Sequence, residues 1–241
     1  MAIYTSKTRI DLEDVGYSNK ITNKEILQIL ENAGARQSET IHFGLNDMEN
    51  VGFSWILLGW KVKILKRPIY NEELTINTWG RDSNRIFTYR DYEIYDESGE
   101  LCAIATSKWA IVDINTGKLR ELTPEIIEKY QCETKKVFEE DYTLKLKEPV
   151  TIIRKQEYKA QRRDIDINKH IHNLYYLDYA YEVLPEEVYE APECNNIEIM
   201  YKKQIRLNDE FKCLYTKEEN QNIVTMKSED ENTLHAIIKL Y

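Results

Sequence analysis

Apolar positions at helical spacing first gather at Ile26, Ile29, Leu30 and Ala33. Just before them Thr22-Asn23-Lys24-Glu25 has the form of a capping box, so the pattern predicts a helix over residues 22–38. After it the period changes. Runs rich in Ile, Val, Trp, Tyr and Thr predict strands over 53–65, 74–81, 85–95 and 101–114, with turns at Asp96-Glu97-Ser98-Gly99 and Asn115-Thr116-Gly117. A second helical stripe, Ile171, Leu174, Leu177, Tyr181 and Leu184, predicts a helix over 169–184, closed by Pro185. Strands follow again, over 197–207, 211–216, 223–228 and 233–241.

One helix followed by several strands therefore occurs twice. Trp60-Lys61-Val62-Lys63-Ile64 resembles Tyr201-Lys202-Lys203-Gln204-Ile205, and Asn71-Glu72-Glu73-Leu74 resembles Asn208-Asp209-Glu210-Phe211, which points to a duplicated unit. The charged stretch 124–149 is the linker expected between the copies. A helix and an antiparallel sheet must each bury one apolar face, so the pattern taken alone gives an α+β chain of two similar subdomains.

Composition narrows the function classes. With 8 Gly and 5 Pro in 241 residues, and neither a GxGxxG nor a GxxxxGK[ST] string, phosphate-cradling loops are not expected. A net charge of -9 argues against a nucleic-acid surface. The first residues mix charges with apolar positions and form no signal-peptide core, and the longest nearly apolar run, 53–60, is far short of the roughly 20 residues that span a bilayer. A soluble cytoplasmic protein without a membrane span is the expectation. Cys102, Cys132, Cys194 and Cys213 form no CxxC, so they are expected to be reduced thiols and not metal ligands.

The densest polar cluster runs from Arg162 to Asn173. In an extended lead-in to the second helix, Asp164, Asp166, Asn168 and His170 would project to one side, where the backbone N–H groups of a helix start could also polarise a carbonyl oxygen. Asp and Asn at that position also serve as plain helix caps, and the local sequence leaves both uses open. A calcium loop is excluded by Lys169 where its Gly belongs and Tyr175 where its Glu belongs. A zinc site on His170 and His172 has neither a CxxC nor a third nearby His.

The segment RRDIDINKHIHNLYYLDY resembles the active-site segment of acyl-ACP thioesterases, which carries D-x-N-x-H before a helix; Asp166, Asn168 and His170 match it. The likeness extends through WKVKILKRPIYNEELTINTW, SKWAIVDINTGKLREL and IEIMYKKQIRLND, and so covers nearly the whole chain. It implies a tandem (double) hotdog, each repeat a long helix wrapped by an antiparallel sheet. Residues 1–135 would bind the acyl chain and residues 136–241 would carry the catalytic segment. It also implies hydrolysis of acyl-ACP, with acyl carrier protein as partner and no cofactor or metal; a homodimer stays open. Plant members carry Glu then Cys where this chain has Gln204-Ile205, so a thiol nucleophile at that place is ruled out.

Without GxSxG, and with no Cys in the matched segment, direct attack by water is the economical mechanism. His170 is the expected general base and Asp166 its orienting or sharing partner, with Asn168 and backbone N–H groups on the oxyanion and Gln204 on the water. His42, His172 and His235 are expected to be structural or solvent-facing. Wall candidates for the acyl chain are Ile26, Trp55, Ile56, Leu58, Trp60, Ile64 and Trp79, which could equally be plain core. Arg162, Arg163, Lys202, Lys203 and Arg206 are the candidate docking cations for an acidic carrier protein. An acyl-CoA thioesterase and a non-catalytic acyl-thioester-binding module are the competing readings.

Overall fold

The computed structural model describes residues 3–81, 84–140, 145–189 and 194–241. The chain divides into two compact units, Met1–Thr143 and Leu144–Tyr241.

The first unit contains β1 (Tyr4–Arg9), α1 (Asn23–Thr40), α2 (Met48–Val51), β2 (Phe53–Ile64), β3 (Glu73–Gly80), β4 (Thr88–Tyr95), β5 (Leu101–Asp113), β6 (Leu119–Arg120) and α3 (Pro124–Tyr130). Its sheet runs β1-β3-β4-β5-β2 with antiparallel neighbours, and β6 pairs with β5. The Thr22 hydroxyl accepts from Glu25 N at 3.2 Å and caps α1. Ile26, Leu27, Leu30, Ala33 and Gly34 then form the buried stripe that lies on the sheet. Gly34 permits close approach, since a Cβ there would lie 2.9 Å from the Tyr92 hydroxyl oxygen.

Register assigns the faces of this sheet. Trp60, Ser107 and Arg90 are paired across β2, β5 and β4, as are Val62, Ala105 and Tyr92, so these side chains share the face toward α1. A bulge at Leu58 in β2 matters here. Before it the odd positions Phe53 and Leu57 are buried; after it the even positions Trp60, Val62 and Ile64 are. The extra residue shifts the parity of β2 while β5 keeps its own, and the buried face continues across the break.

The expected linker is in part core. Within 124–149, α3 contributes Ile126 and Tyr130 to a buried cluster with Phe43, Phe53, Ile111 and Leu122. Pro124 at the first helical turn starts α3, and the apolar positions 126 and 130 lie one turn apart on its buried side. Lys135 and Val137 also belong to the first unit: Lys135 pairs with Glu93 at 2.6 Å, and Val137 N donates to Asp91 at 3.0 Å. The positions 141–144 of that stretch lie outside the described residues.

The second unit contains β7 (Arg154–Lys159), α4 (Tyr175–Val183), α5 (Glu186–Tyr189), β8 (Asn196–Tyr201), β9 (Glu210–Glu218), β10 (Gln221–Ser228) and β11 (Leu234–Leu240), with sheet order β7-β9-β10-β11-β8, again antiparallel. The strand expected over 197–207 ends at Tyr201, so Gln204 lies in a loop. The second helix starts at Tyr175, six residues later than its pattern suggests. Ile171 and Leu174 are buried without being helical, and the buried helical stripe is Tyr176, Leu177, Ala180 and Val183. Among the described residues, no helix is long and apolar enough to cross a membrane.

Candidate active site

The polar cluster is a closed turn and not an extended lead-in. Arg162–Asp164 forms one 3-10 turn, in which buried Asp164 accepts from Gln161 N at 2.8 Å and from the Tyr179 hydroxyl at 2.6 Å. Asp164 is thus a structural cap and does not project beside Asp166. Next, Asp166 N donates to His170 O at 2.8 Å and Lys169 N to Asp166 O at 3.0 Å, with Lys169 at φ 64°. The Asp166 carboxylate accepts from Asn168 N at 2.8 Å and His170 N at 3.2 Å. An Asp at this point closes the turn through its own backbone, which is the ordinary use of Asp in Asx turns.

Two links bring the 204–206 loop alongside. His170 forms an isolated antiparallel bridge with Arg206, and Ile171 N donates to Ile205 O at 2.8 Å. Asn168 and Gln204 are exposed, while Asp166 and His170 are half-buried. All four sequence-predicted catalytic residues therefore sit on two adjacent segments of the second unit. The N–H groups of residues 166 and 168–172 are all donated within this framework, and α4 begins only at residue 175. The Asn168 side-chain amide is exposed beside this framework.

Burial is the main influence on the His170 imidazole and pushes its pKa below the usual histidine value; Asp166 opposes this and Arg206 adds to it. At neutral pH the ring is consequently uncharged and able to accept a proton. Asp166 acts on it through charge and by holding its backbone N–H.

Several supporting residues escaped the sequence pattern. Buried Tyr176 accepts from Ile205 N through its hydroxyl at 3.3 Å, and the Tyr201 hydroxyl donates to Asn173 O at 3.0 Å. A tyrosine on the inner stripe of a helix signals a buried hydroxyl that needs a partner, but only the fold names the partner. Of the other histidines, His42 is exposed beside Asp47, and His172 accepts from Leu174 N at 3.3 Å ahead of α4. His235 is buried, and its Nδ1 lies 2.8 Å from Lys203 O. The docking cations Arg162, Arg163, Lys202, Lys203 and Arg206 are all exposed.

The wall candidates divide by face. Ile26, Trp60 and Ile64 are buried between α1 and the sheet, and Leu58 is the bulge residue. Ile56 alternates to the other face of β2. Trp55 packs against the cluster that contains α3, with its ring 5.6 Å from that of Tyr130. Trp79 pairs with Asp91 on the face away from α1, donates from Nε1 to Lys135 O at 2.9 Å and lies under the Lys135 ammonium. Strand alternation sends Trp79 to that side, a distinction that hydrophobicity does not make. Cys213 is buried, which pushes its thiol well above the ordinary range, and Cys102 is pushed up to about 11 by the same cause.

Residues 1–130 match the acyl-ACP thioesterase N-terminal domain and residues 147–239 its C-terminal domain. The chain is 25% identical over 238 residues to oleoyl-acyl carrier protein thioesterase 2, chloroplastic, of Arabidopsis thaliana, covering 92% of this chain and 65% of that protein. It is likewise 25% identical over 244 residues to the oleoyl-acyl carrier protein thioesterase of Coriandrum sativum, again covering 65% of the relative. The chain thus spans just under two thirds of the length of these curated relatives. Among solved structures it resembles an acyl-ACP thioesterase from Bacteroides thetaiotaomicron, with TM-score 0.86, 23% identity and coverage of 99% and 97% of the two chains. It also resembles the 12:0-ACP thioesterase from Umbellularia californica, with TM-score 0.88, 16% identity and coverage of 100% and 96%. These likenesses establish the α+β double hotdog fold, and with both domains of the family matched in order, the chain belongs to the acyl-ACP thioesterase family.

Proposed function

We propose that this chain hydrolyses the thioester of acyl carrier protein and releases a free fatty acid, with catalysis in the second repeat and acyl-chain binding in the first. The observation that carries the reading is the joining of the Asp166–His170 turn to the Gln204 loop by the His170–Arg206 bridge and the Ile171 N to Ile205 O bond. Neutral His170 takes a proton from water as the water oxygen attacks the thioester carbonyl carbon. The Asn168 amide donates to the developing oxyanion, and Gln204 holds the water. Collapse of the intermediate breaks the carbon–sulfur bond, and the His170 proton passes to the leaving thiolate. Asp166 stabilises the transient imidazolium by its charge.

The cations at 162, 163, 202, 203 and 206 support an acidic protein partner on a chain whose net charge is -9. The first repeat supplies an internal control, since Leu12, Glu13 and Ile69 stand where Arg162, Arg163 and Arg206 stand in the second. Along the acyl chain we retain Ile26, Leu58, Trp60 and Ile64 as walls, and we assign Trp79 to the opposite face of the sheet. A cytoplasmic location and a role in fatty acid biosynthesis go with this reading.

One observation favours a second reading. Gln204 cannot act as a base, so a chain that needed a carboxylate there would bind acyl thioesters without turning them over. Purified protein incubated with matched acyl-ACP and acyl-CoA, with free thiol monitored, separates the cases. Release from ACP with little from CoA is expected. Release from CoA alone would make the chain an acyl-CoA thioesterase, and binding without release would make it the non-catalytic module.

A further inference from the structure

The two repeats hold their site loops to the neighbouring strand by the same backbone bonds. In the first, Leu65 N and Lys66 N both donate to Cys102 O, at 2.8 and 3.1 Å. In the second, Lys202 N and Lys203 N both donate to His235 O, at 2.8 and 3.4 Å. The register agrees, since Ile64 pairs with Ala103 and Tyr201 with Ala236 at the ends of the two ladders. His235 is therefore the structural counterpart of Cys102.

What the second repeat adds is a side-chain bond. Nδ1 of His235 lies 2.8 Å from Lys203 O. A carbonyl only accepts, so the ring must be the Nδ1–H tautomer, donating. The Cys102 thiol instead points to its own strand, at Glu100 O, 3.6 Å away. His235 is 5% exposed and the carbonyl it holds belongs to the residue immediately before Gln204. The next residue, Ile205, is fixed from the other side by the Tyr176 hydroxyl and by Ile171 N.

We infer that His235 is a positioning residue for the candidate active site, fixing the peptide carbonyl of Lys203 so that Gln204 is presented at a constant place beside the Asp166–His170 turn. The kinetic part of this inference rests on the thioesterase reading above; the conformational part does not. A donor at the Nδ1 position is what the role requires. Asn places its amide nitrogen near where Nδ1 lies, whereas Gln places it near Nε2.

The test compares His235→Asn, His235→Gln and His235→Ala in the full chain, with thermal melts to establish folding. Expected are a kcat lowered on the order of tenfold in His235→Ala and His235→Gln, KM for acyl-ACP within about twofold of wild type, and recovery of most of kcat in His235→Asn. Equal activity in all three folded variants, or a loss carried by KM alone, overturns the inference. Amide hydrogen exchange gives a readout independent of turnover. His235→Ala should speed exchange at residues 204–206 and leave the amides of Arg67 and Ile69 in the matching loop unchanged; unchanged exchange at 204–206 overturns the inference even if the wild-type protein releases no thiol. Wild-type inactivity together with faster exchange at 204–206 would sink the thioesterase reading and leave the clamp standing.

Discussion

The turn Gly16–Lys20 and the turn Asp166–His170 are the same piece of backbone with different side chains. Gly16 N donates to Lys20 O and Asn19 N to Gly16 O in one; Asp166 N donates to His170 O and Lys169 N to Asp166 O in the other. Asn19 and Lys169 both adopt positive φ, at 57° and 64°, and Ile21 N reaches Pro68 O just as Ile171 N reaches Ile205 O. Ahead of each turn an Asp accepts the backbone N–H three residues earlier, Asp14 from Asp11 and Asp164 from Gln161. The groups kept in both copies hold the frame. Among those that differ are Gly16 for Asp166, Ser18 for Asn168, Lys20 for His170, Arg67 for Gln204 and Cys102 for His235. Function on a duplicated fold lies in the side chains placed on a shared frame, and comparing the two copies separates them from the scaffold.

The largest effect should come from turning the second copy into the first. The triple change Asp166→Gly, Asn168→Ser and His170→Lys gives the second turn the first copy's residues at three of its five positions, keeping Ile167 and Lys169, so the fold should persist while base and oxyanion donor are removed. Turnover should fall by roughly a hundredfold or more, as it should in His170→Ala alone. Near-normal thiol release from a folded His170→Ala protein would remove His170 from the mechanism.

A smaller effect is expected from the cations. Arg163→Glu copies the first repeat's Glu13, and combined with Arg162→Glu it should raise KM for acyl-ACP by about tenfold at low salt, with kcat little changed. The loss should shrink as salt screens the patch. An unchanged KM at every ionic strength would show that the five cations are an ordinary solvated face.

The sequence made the repeat legible because helical and strand periods are local, and the D-x-N-x-H residues legible through their family resemblance. Placement was the part it did not carry. The apolar spacing of Ile171 and Leu174 continues that of α4 backwards, so periodicity alone extends the helix through a segment whose amides are already engaged by the 3-10 turn and the 204–206 loop. Trp79 reads as a wall residue by type, yet strand parity sends it to the opposite face, and the bulge at Leu58 moves the parity of β2 in the middle of its run. His235 carried no local signal, because its partner, the Lys203 carbonyl, is 32 residues away. Long-range pairing decides each of these cases, and it is what a single-sequence pattern lacks.

Gln204 should give a more moderate effect than His170, because it is exposed and its counterpart Arg67 has a structural task, donating to Ile21 O at 2.9 Å and to the Asn23 side chain at 2.6 Å. Gln204→Ala should lower kcat by about tenfold through a less ordered water. Gln204→Glu should stay active, since a carboxylate accepts the same hydrogen bond. If wild type were inactive on every acyl thioester and Gln204→Glu switched activity on, the natural chain would be the binding module.

The smallest expected change, and the most selective, is a shift in the acid limb of kcat/KM. Because burial lowers the His170 pKa, that limb should fall below the ordinary histidine value of about 6.5. Asp166→Asn keeps an oxygen for the N–H groups of residues 168 and 170 but removes a negative charge that favours the imidazolium; the pKa then drops further and the limb moves to lower pH. Arg206→Ala leaves the backbone bridge to His170 in place and removes a positive charge that disfavours the imidazolium, so the limb moves up. Stability obeys the same sign. A histidine whose folded pKa is depressed costs nothing above its unfolded pKa, and it weakens the fold as pH falls through the window between the unfolded and folded values. Melting temperature should accordingly drop on acidification below about pH 6.5, with His235 adding to the loss because burial lowers its pKa too. Opposite shifts in the two single variants would identify His170 as the titrating base. Shifts of the same sign, or loss of activity in Asp166→Asn at every pH, would move the base role to Asp166.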